Sequence, residues 1–251
     1  MPTNDTPYTA LLGAFADELT LLEAALIDPA EVRRNGHRFV TGRLGRQRVV
    51  VALTGIGKTN AALTTALVMA HFGPQRVLFT GIAGGVRADL QPGDIVVGAE
   101  VGYHDVQSVT LQMEPTRHTL HPVTFALNPL YFPADPTLLT LAQTAAQTLA
   151  LEPVPGSERP PRVITGRILT GDEFVQSARR AEAIRREHAA DAIEMEGAAV
   201  AQVCYQQGVP CLVIRSLSDR ADSHAVIDIL AFLSTAARNS ARLVQAVVEA
   251  L

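Results

Sequence analysis

Residues 46–80 read RQRVVVALTGIGKTNAALTTALVMAHFGPQRVLFT. The β-branched run from Arg46 to Thr54 predicts a strand, the Ala- and Leu-rich stretch from Lys58 to Phe72 predicts a helix, and Arg76 to Thr80 predicts a short buried strand. A strand, a helix and a second strand in this order are typical of a mostly parallel sheet whose faces are covered by helices.

The same alternation continues on both sides of this unit. Short β-branched runs predict further strands at Tyr8–Gly13, Arg38–Leu44, Asp94–Tyr103, Arg162–Thr170, Ala192–Met195 and Cys211–Ser216. Helical patterns predict helices at Phe15–Ile27, Pro136–Leu151, Ser177–Glu187, Gly197–Gln207 and from the last strand to Leu251. Residues 105–133 lose periodicity, which indicates a lid or a subunit contact. We therefore expect residues 1–251 to form a single α/β domain with a central mixed, mostly parallel sheet flanked by helices.

The composition argues against a nucleic-acid or membrane partner. Of the 251 residues 47% are hydrophobic and 18% are charged, the net charge is −4, and the basic residues are scattered. No apolar run reaches the roughly 18 residues of a membrane helix, and residues 1–5 lack the basic region of an export signal. Cys204 and Cys211 lie in apolar patterns typical of core thiols. We expect a cytoplasmic protein, and the apolar excess favours a homo-oligomer.

A phosphate-loop motif is the first candidate site. Ala52 to Thr59, ALTGIGKT, follows a strand, precedes a helix and fits a relaxed pattern with Ala for the first Gly. The next apolar strand ends in Thr80 rather than in the Asp that such an enzyme uses to hold magnesium. The alternative is that Gly55 and Gly57 make a tight strand-to-helix turn. A nucleotide triphosphatase therefore stays open as the weaker interpretation.

Two further glycine turns follow strands. Thr80 to Gly85, TGIAGG, would expose backbone amides to a sugar or an anion, or would simply turn the chain. Gly13 to Glu18, GAFADE, leads into a helix whose first turn is acidic, and the helix dipole alone favours acids there. Each turn is a weak signal by itself.

Acidic residues gather after two strands near the end of the chain. Glu194 and Glu196 lie at the carboxyl end of one predicted strand, and Ser218 and Asp219 lie at the carboxyl end of the next. Glu196 alone could be a first-turn helix acid, and Asp219 alone a turn residue. Arg215 lies inside an apolar strand and needs a carboxylate or a ligand if it is buried. The combination favours a shared site at the carboxyl edge of the sheet.

These residues belong to a larger set of segments: Gly13-Ala14 with Glu18, Thr54–Lys58, Thr80–Gly85, Pro92–Val97, Tyr103-His104-Asp105, Gly171-Asp172 with Phe174, Glu194-Met195-Glu196 and Arg215–Asp219. Together they resemble the 5'-methylthioadenosine/S-adenosylhomocysteine nucleosidases of the purine nucleoside phosphorylase superfamily. The resemblance runs through most of the chain. It implies hydrolysis of the N-glycosidic bond of a purine nucleoside by a homodimer, with no cofactor and no metal, and a place in methionine salvage.

The resemblance also implies a role for individual residues. Glu18 would activate the attacking water with Arg215 near it, and Asp219, oriented by Ser218, would protonate the leaving purine. Glu196 would accept hydrogen bonds from the ribose hydroxyls. The other expected substrate contacts are Met195, Glu194, Phe15, Ile82, Gly84, Phe174 and Val175. An anionic purine is a poor leaving group and a sugar cation needs nearby negative charge, so one carboxyl must act as acid and the other as base.

Water rather than phosphate is the expected nucleophile. Phosphorolytic members of the superfamily have arginines around the glycine turn where this chain has Phe79, and the Gly13 turn has no nearby Arg, so little would hold phosphate. Family members commonly have Ser in place of Ile82, and an aromatic, glycine-rich segment in place of Ser108–Met113. A phosphorylase, a futalosine-type nucleoside hydrolase and a non-catalytic nucleoside-binding protein stay open as alternatives.

Overall fold

The computed structural model of the chain describes residues 7–109, 114–155, 157, 159–222 and 225–251. Its strands are β1 (Thr9–Gly13), β2 (Ile27–Arg34), β3 (His37–Leu44), β4 (Gln47–Leu53), β5 (Arg76–Phe79), β6 (Ile82–Gly85), β7 (Ile95–Tyr103), β8 (Ser108–Val109), β9 (Pro115–Thr116), β10 (Tyr131–Pro133), β11 (Val163–Thr170), β12 (Ala192–Glu194) and β13 (Cys211–Asp219). Its helices are α1 (Ala16–Ala24), α2 (Lys58–Phe72), α3 (Pro136–Ala146), α4 (Ala178–His188), α5 (Gly197–Gln207) and α6 (Ala225–Glu249).

One mixed sheet organises these elements, in the order β10-β7-β11-β12-β6-β13-β5-β1-β4-β3-β2. β1 lies between β4 and β5 and is parallel to both, so the β4-α2-β5 unit read from residues 46–80 is present. Among the described strands of this sheet, six pairings are parallel and five are antiparallel. Helices pack on the sheet, and the predicted α/β class with a mixed sheet is confirmed.

Both faces of the sheet are buried. In β4, Val50 and Ala52 pack on the side of α2 and α5, whereas Val49 and Val51 pack on the side of α1, α3 and α6. Successive strand residues face opposite sides, so a strand covered on both faces must be apolar at every position. This double burial explains why residues 49–52 form an unbroken apolar run.

Strand β13 closes part of the sheet into a ring. Cys211 to Val213 pair with β5, Ile214 to Ser216 pair with β7, and Ser216 to Asp219 pair with β6. Because β7 also pairs with β11, β11 with β12, and β12 with β6, five strands form a closed circuit. The end of β12 therefore lies beside the first residues of β6 and the second half of β13.

The region after α1 differs from the prediction. α1 ends at Ala24 rather than at Ile27, and Ile27–Arg34 is an edge strand, β2. β2 is exposed along nearly its whole length, so burial imposes no apolar-polar alternation on it. Asn35 and Gly36 have φ of 50° and 80°, the geometry of a two-residue hairpin turn between β2 and β3. The Asn-Gly pair is the sequence signal for this hairpin.

Three other regions also differ from the prediction. α3 ends at Ala146 rather than Leu151, because the chain tightens into hydrogen bonds from Gln147 to Thr144 and from Thr148 to Ala145. Residues 105–133 contain short strands, of which β10 pairs with β7; residues 110–113 of the divergent segment lie outside the described residues. β13 continues through Asp219 instead of ending at Ser216 because β6 supplies a partner strand.

Candidate active site

Strand β6 lies at the centre of the candidate active site. Residues 80–85 are predicted as a glycine turn, but β6 begins at Ile82 and only Thr80 and Gly81 connect it to β5. The Ile82 amide donates to Oε1 of Glu18 at 3.0 Å. A Cβ at Gly84 would lie 2.9 Å from Oδ1 of Asp219. The two predicted catalytic carboxyls, Glu18 and Asp219, therefore border the same short strand. The β6 positions that they approach, Ile82 and Gly84, are two residues apart.

Glu18 is buried although it stands in the first turn of α1. It is 1% exposed, and its Oε2 accepts the amides of Ala14 at 2.6 Å and Phe15 at 2.9 Å. Burial raises its pKa, while the Arg215 charge and the three amides oppose that rise. A helix-start acid explains the contacts with Ala14 and Phe15 but not the one with Ile82. Glu18 is a carboxyl directed into the site that can take up a proton.

An irregularity in β13 affects the orientation of Asp219. The pairing with β6 shifts register between Leu217 and Asp219, so Ser218 sits in a bulge, a feature that commonly redirects a side chain. The Ser218 hydroxyl donates to Oδ2 of Asp219 at 2.7 Å, and the Ala221 amide donates to Oδ1 at 2.7 Å. Burial raises the pKa of Asp219 against these two hydrogen bonds, which favours a carboxyl that can carry a proton.

Arg215 is the largest fully buried side chain among the described residues. Its Nη2 is hydrogen-bonded to Oε2 of Glu194 and lies 3.6 Å from Oε2 of Glu196. Its Nη1 donates to the Thr80 carbonyl at 2.8 Å, and the Phe79 ring covers the guanidinium at 4.0 Å. The prediction that a buried Arg215 needs a carboxylate or a ligand is confirmed, and the partners are carboxylates.

Both carboxylate oxygens of Glu194 accept from protein donors. Oε1 accepts the Thr170 hydroxyl, and Oε2 accepts Arg215 and the amides of Glu196 at 3.1 Å and Gly197 at 2.7 Å. Thr170 in turn accepts an amide at the start of α5. This arrangement favours a positioning role for Glu194 over the predicted substrate contact. Thr170 has no role predicted from the sequence; its signal is a threonine that follows the buried apolar pair Ile168-Leu169 at the end of β11.

Glu196 keeps more of its hydrogen-bonding capacity. It is 5% exposed, its Oε1 accepts the Gly57 amide at 2.8 Å, and its Oε2 faces Arg215 at 3.6 Å. Burial and the neighbouring Glu194 charge raise the pKa of Glu196 to about 7, opposed by Arg215 and the Gly57 amide. Its carboxyl has lone pairs left for the two hydroxyls of a sugar.

The remaining predicted contact residues lie next to the elements of the site in the chain. Phe15 lies directly before α1, and Met195 stands between the two glutamates. Phe174 and Val175 follow β11; Val175 is buried, whereas Phe174 is 43% exposed. Exposed aromatic faces of this kind can stack on a planar base.

The phosphate-loop motif is a strand-to-helix turn that binds carboxylates of the chain itself. The Gly57 amide donates to Glu196, and the Lys58 amide donates to Oδ1 of Asp172 at 2.9 Å. Gly57 has a φ of 92°, and a Cβ there would lie 3.2 Å from Oδ1 of Asp172. Lys58 Nζ lies 2.7 Å from Oδ2 of Asp105. The motif therefore needs no phosphate to account for its glycines or its lysine.

Two structural features are absent from the part of the chain that is described. None of its helices has the length and hydropathy needed to cross a membrane. Nor does it group three or more His, Cys, Asp or Glu side chains closely enough to hold a metal ion.

The chain matches known proteins over nearly its whole length. The family model of the phosphorylase superfamily matches residues 8–249. The 5'-methylthioadenosine/S-adenosylhomocysteine nucleosidase of Geobacillus sp. (strain WCH70) is 36% identical over 96% of this chain and 98% of its own length. The chain belongs to this nucleosidase family. The crystal structure of the Neisseria meningitidis nucleosidase with methylthio-immucillin-A has a TM-score of 0.86 and 37% identity, covering 97% of this chain and 99% of that chain.

A second branch of relatives is nearly as similar. The aminodeoxyfutalosine nucleosidase of Helicobacter pylori (strain ATCC 700392 / 26695) is 35% identical over 96% of this chain and 97% of its own length. Membership in a family of nucleosidases confirms the resemblance stated from the sequence and identifies the chain as an enzyme. The triphosphatase and non-catalytic interpretations lose their support.

Ile82 stands where the resemblance led us to expect serine, but its described contact runs through the main chain. The Ile82 amide holds Glu18, and any residue other than proline would supply that donor. The substitution therefore leaves the contact with Glu18 in place.

Proposed function

We propose that this enzyme hydrolyses the N-glycosidic bond of a 5'-substituted adenosine, methylthioadenosine or S-adenosylhomocysteine, and releases adenine. The observation that carries the proposal is the placement of Glu18 and Asp219 along β6, with Glu196 and Arg215 beside them. A nucleoside laid over β6 would have one carboxyl near its sugar and the other near its base.

Glu18 acts as the base that activates water. Three amides and the nearby Arg215 charge support its ionised form, while burial keeps its proton affinity above that of an exposed glutamate. Water attacks the anomeric carbon, the bond from this carbon to the purine nitrogen breaks, and Glu18 takes the proton of the water. Glu196 holds the ribose hydroxyls, and its negative charge favours the cationic sugar of the transition state. Met195 packs against the sugar.

Asp219 acts as the acid. Ser218 and the Ala221 amide orient its carboxyl, and burial favours its protonated form. It donates that proton to the imidazole-side nitrogen of the departing purine, so that the electron pair of the broken bond leaves on a neutral base. Phe174 stacks on the purine, the Val175 backbone reads its edge, and Phe15, Ile82 and Gly84 line the pocket.

Hydrolysis is favoured over phosphorolysis by what surrounds Arg215. The two Nη atoms of its guanidinium bind Glu194 and the Thr80 carbonyl and face Glu196, and the guanidinium is covered by Phe79, the residue that replaces an arginine of the phosphorolytic pattern. A phosphate bound here would lie beside three carboxylates, which opposes its charge.

The test is adenine release by the purified protein from methylthioadenosine, S-adenosylhomocysteine and aminodeoxyfutalosine, with and without inorganic phosphate. We expect release without phosphate, and a loss of about 10²- to 10⁴-fold in Asp219→Asn, the usual contribution of a general acid. Release that requires phosphate would make the enzyme a phosphorylase. Turnover confined to aminodeoxyfutalosine would move it to the second branch of relatives.

We also propose that residues 1–251 act as one domain that forms a homodimer in the cytoplasm and serves methionine salvage. Three apolar side chains are 46–49% exposed, Leu53 at the end of β4, Ile56 in the following turn and Leu63 in α2, and a partner subunit would cover them. Cys204 and Cys211 are free thiols, as expected in a reducing compartment. Light scattering of the purified protein tests the dimer, and a monomeric mass would contradict it.

A further inference from the structure

Lys58, which the proposed chemistry does not use, joins three segments at the rim of the site. Its Nζ lies 2.7 Å from Oδ2 of Asp105 and 3.6 Å from Oδ2 of Asp172, and its amide donates to Oδ1 of Asp172 at 2.9 Å. The Asp172 amide donates to Oδ2 of Asp105 at 2.8 Å. These contacts connect the start of α2 with the segments that follow β7 and β11.

The network touches both halves of the nucleoside site. Gly57, the residue before Lys58, donates its amide to Glu196, the proposed ribose ligand. Asp172 lies two residues before Phe174, the proposed base contact. The consecutive amides of Gly57 and Lys58 thus bind two carboxylates. One is Glu196, beside the proposed sugar site, and the other is Asp172, which precedes the proposed base-stacking residue.

We propose that Lys58, Asp105 and Asp172 form a positioning network that sets the distance between the base-binding segment and the ribose-binding Glu196. The inference rests on the proposed function, because the roles of Phe174 and Glu196 do. The side chains of Lys58 and Asp105 are each only 22% exposed, so their ion pair is better shielded from solvent than a typical surface pair. The three groups also share atoms, since Oδ2 of Asp105 accepts both Lys58 and the Asp172 amide.

A ligand that spans both segments should depend on this network, whereas free adenine, which occupies the base side alone, should not. If the ion pair were merely structural, its loss would make the fold less stable and would affect the binding of both ligands alike. The ratio of the two effects therefore separates positioning from stability.

The experiment compares Lys58→Met, Lys58→Arg, Asp105→Asn and the double variant Lys58→Met/Asp105→Asn with the wild type, using methylthioadenosine as substrate and adenine as the binding probe. For Lys58→Met we expect KM to rise about tenfold, which is within the range of coupling between residues of one network. We expect kcat to change less than about threefold and the Kd for adenine to change less than about twofold. Asp105→Asn should match Lys58→Met, the double variant should be no worse than either, and Lys58→Arg should recover most of the loss. Arg38→Met, which breaks exposed ion pairs with Glu23 and Glu31, is the matched control.

Three results would overturn the inference: an unchanged KM in Lys58→Met, a rise in adenine Kd equal to the rise in KM, or additive losses in the double variant. If Lys58→Met does not fold, Asp105→Asn, which keeps the side-chain size, decides by the same criteria. A wild-type protein that releases no adenine overturns the proposed function and this inference together, whereas an active wild type with an unaffected Lys58→Met overturns the inference alone.

Discussion

The guanidinium of Arg215 and the carboxylate of Glu194 form an ion pair that solvent hardly reaches: the two side chains are 0% and 2% exposed. Nη2 of Arg215 lies 3.6 Å from Oε2 of the proposed ribose ligand, Glu196, and the Arg215 charge acts on the proposed base, Glu18. Arg215 opposes the rise in pKa of both acids, and Glu194 adds to the rise for Glu196. The buried pair therefore modulates the proton affinity of the acids on the sugar side of the proposed site, on top of the larger effect of burial.

Glu194→Gln should lower the free energy of unfolding by about 3 kcal/mol, because it leaves a buried arginine charge without its hydrogen-bonded partner. Denaturant unfolding at neutral pH measures this change. Glu182→Gln is the control, since it breaks an exposed i,i+4 pair with Arg186 and should cost less than about 1 kcal/mol. Equal losses in the two variants would contradict the structural role given to Glu194.

Glu18→Gln should reduce kcat by about 10²-fold or more, because an amide cannot take the proton of the attacking water. Asp17→Asn is a matched control in the same helical turn: Asp17 is exposed and carries the same charge toward the helix dipole. Steady-state kinetics of both variants should separate the two acids. A comparable loss in Asp17→Asn would favour the helix dipole as the sole reason for these acids.

Glu196→Gln should change how stability depends on pH. The pKa of Glu196 is raised to about 7 from 4.5, so between these values the unfolded chain is ionised at this residue while the folded enzyme keeps its proton. The contribution of Glu196 to stability is fully present at low pH and is lost as pH rises toward 7. Between pH 5 and pH 8 the wild type should lose about 2 kcal/mol of unfolding free energy relative to Glu196→Gln. A difference that stays constant across this range would refute the raised pKa.

Gly81→Ala should destabilise the fold by about 3 kcal/mol or more and abolish hydrolysis. A Cβ at this position would lie 1.8 Å from Nη1 of Arg215 and 2.8 Å from Oε1 of Glu18. Gly208→Ala is the control: Gly208 has a φ of 66° but no neighbour within 4 Å of the added carbon, so backbone strain of about 1 kcal/mol is the expected cost. Thermal unfolding of both variants, with adenine release, checks the difference.

The sequence could predict much of the candidate site because its charged residues lie in or directly after apolar strands, where the pattern of a buried strand does not explain so many charges. Glu194, Glu196, Asp219 and Arg215 follow or interrupt apolar strands. Their separate tasks could not be predicted. Four donors surround Glu194, whereas Glu196 keeps free lone pairs. Both arrangements depend on β11, α5 and the turn before α2, which come together only in the folded chain.

The alternation of the predicted strands and helices, the mixed α/β class and the family of the chain follow from the sequence by itself, because hydrophobic periodicity and motif spacing are properties of neighbouring residues. The edge strand β2 and the extension of β13 through Asp219 do not, because partner strands far away in sequence decide them. The phosphate-loop motif shows the same limit. Local pattern predicts a turn that presents amides, and only the tertiary structure decides that Glu196 and Asp172 are the anions they bind.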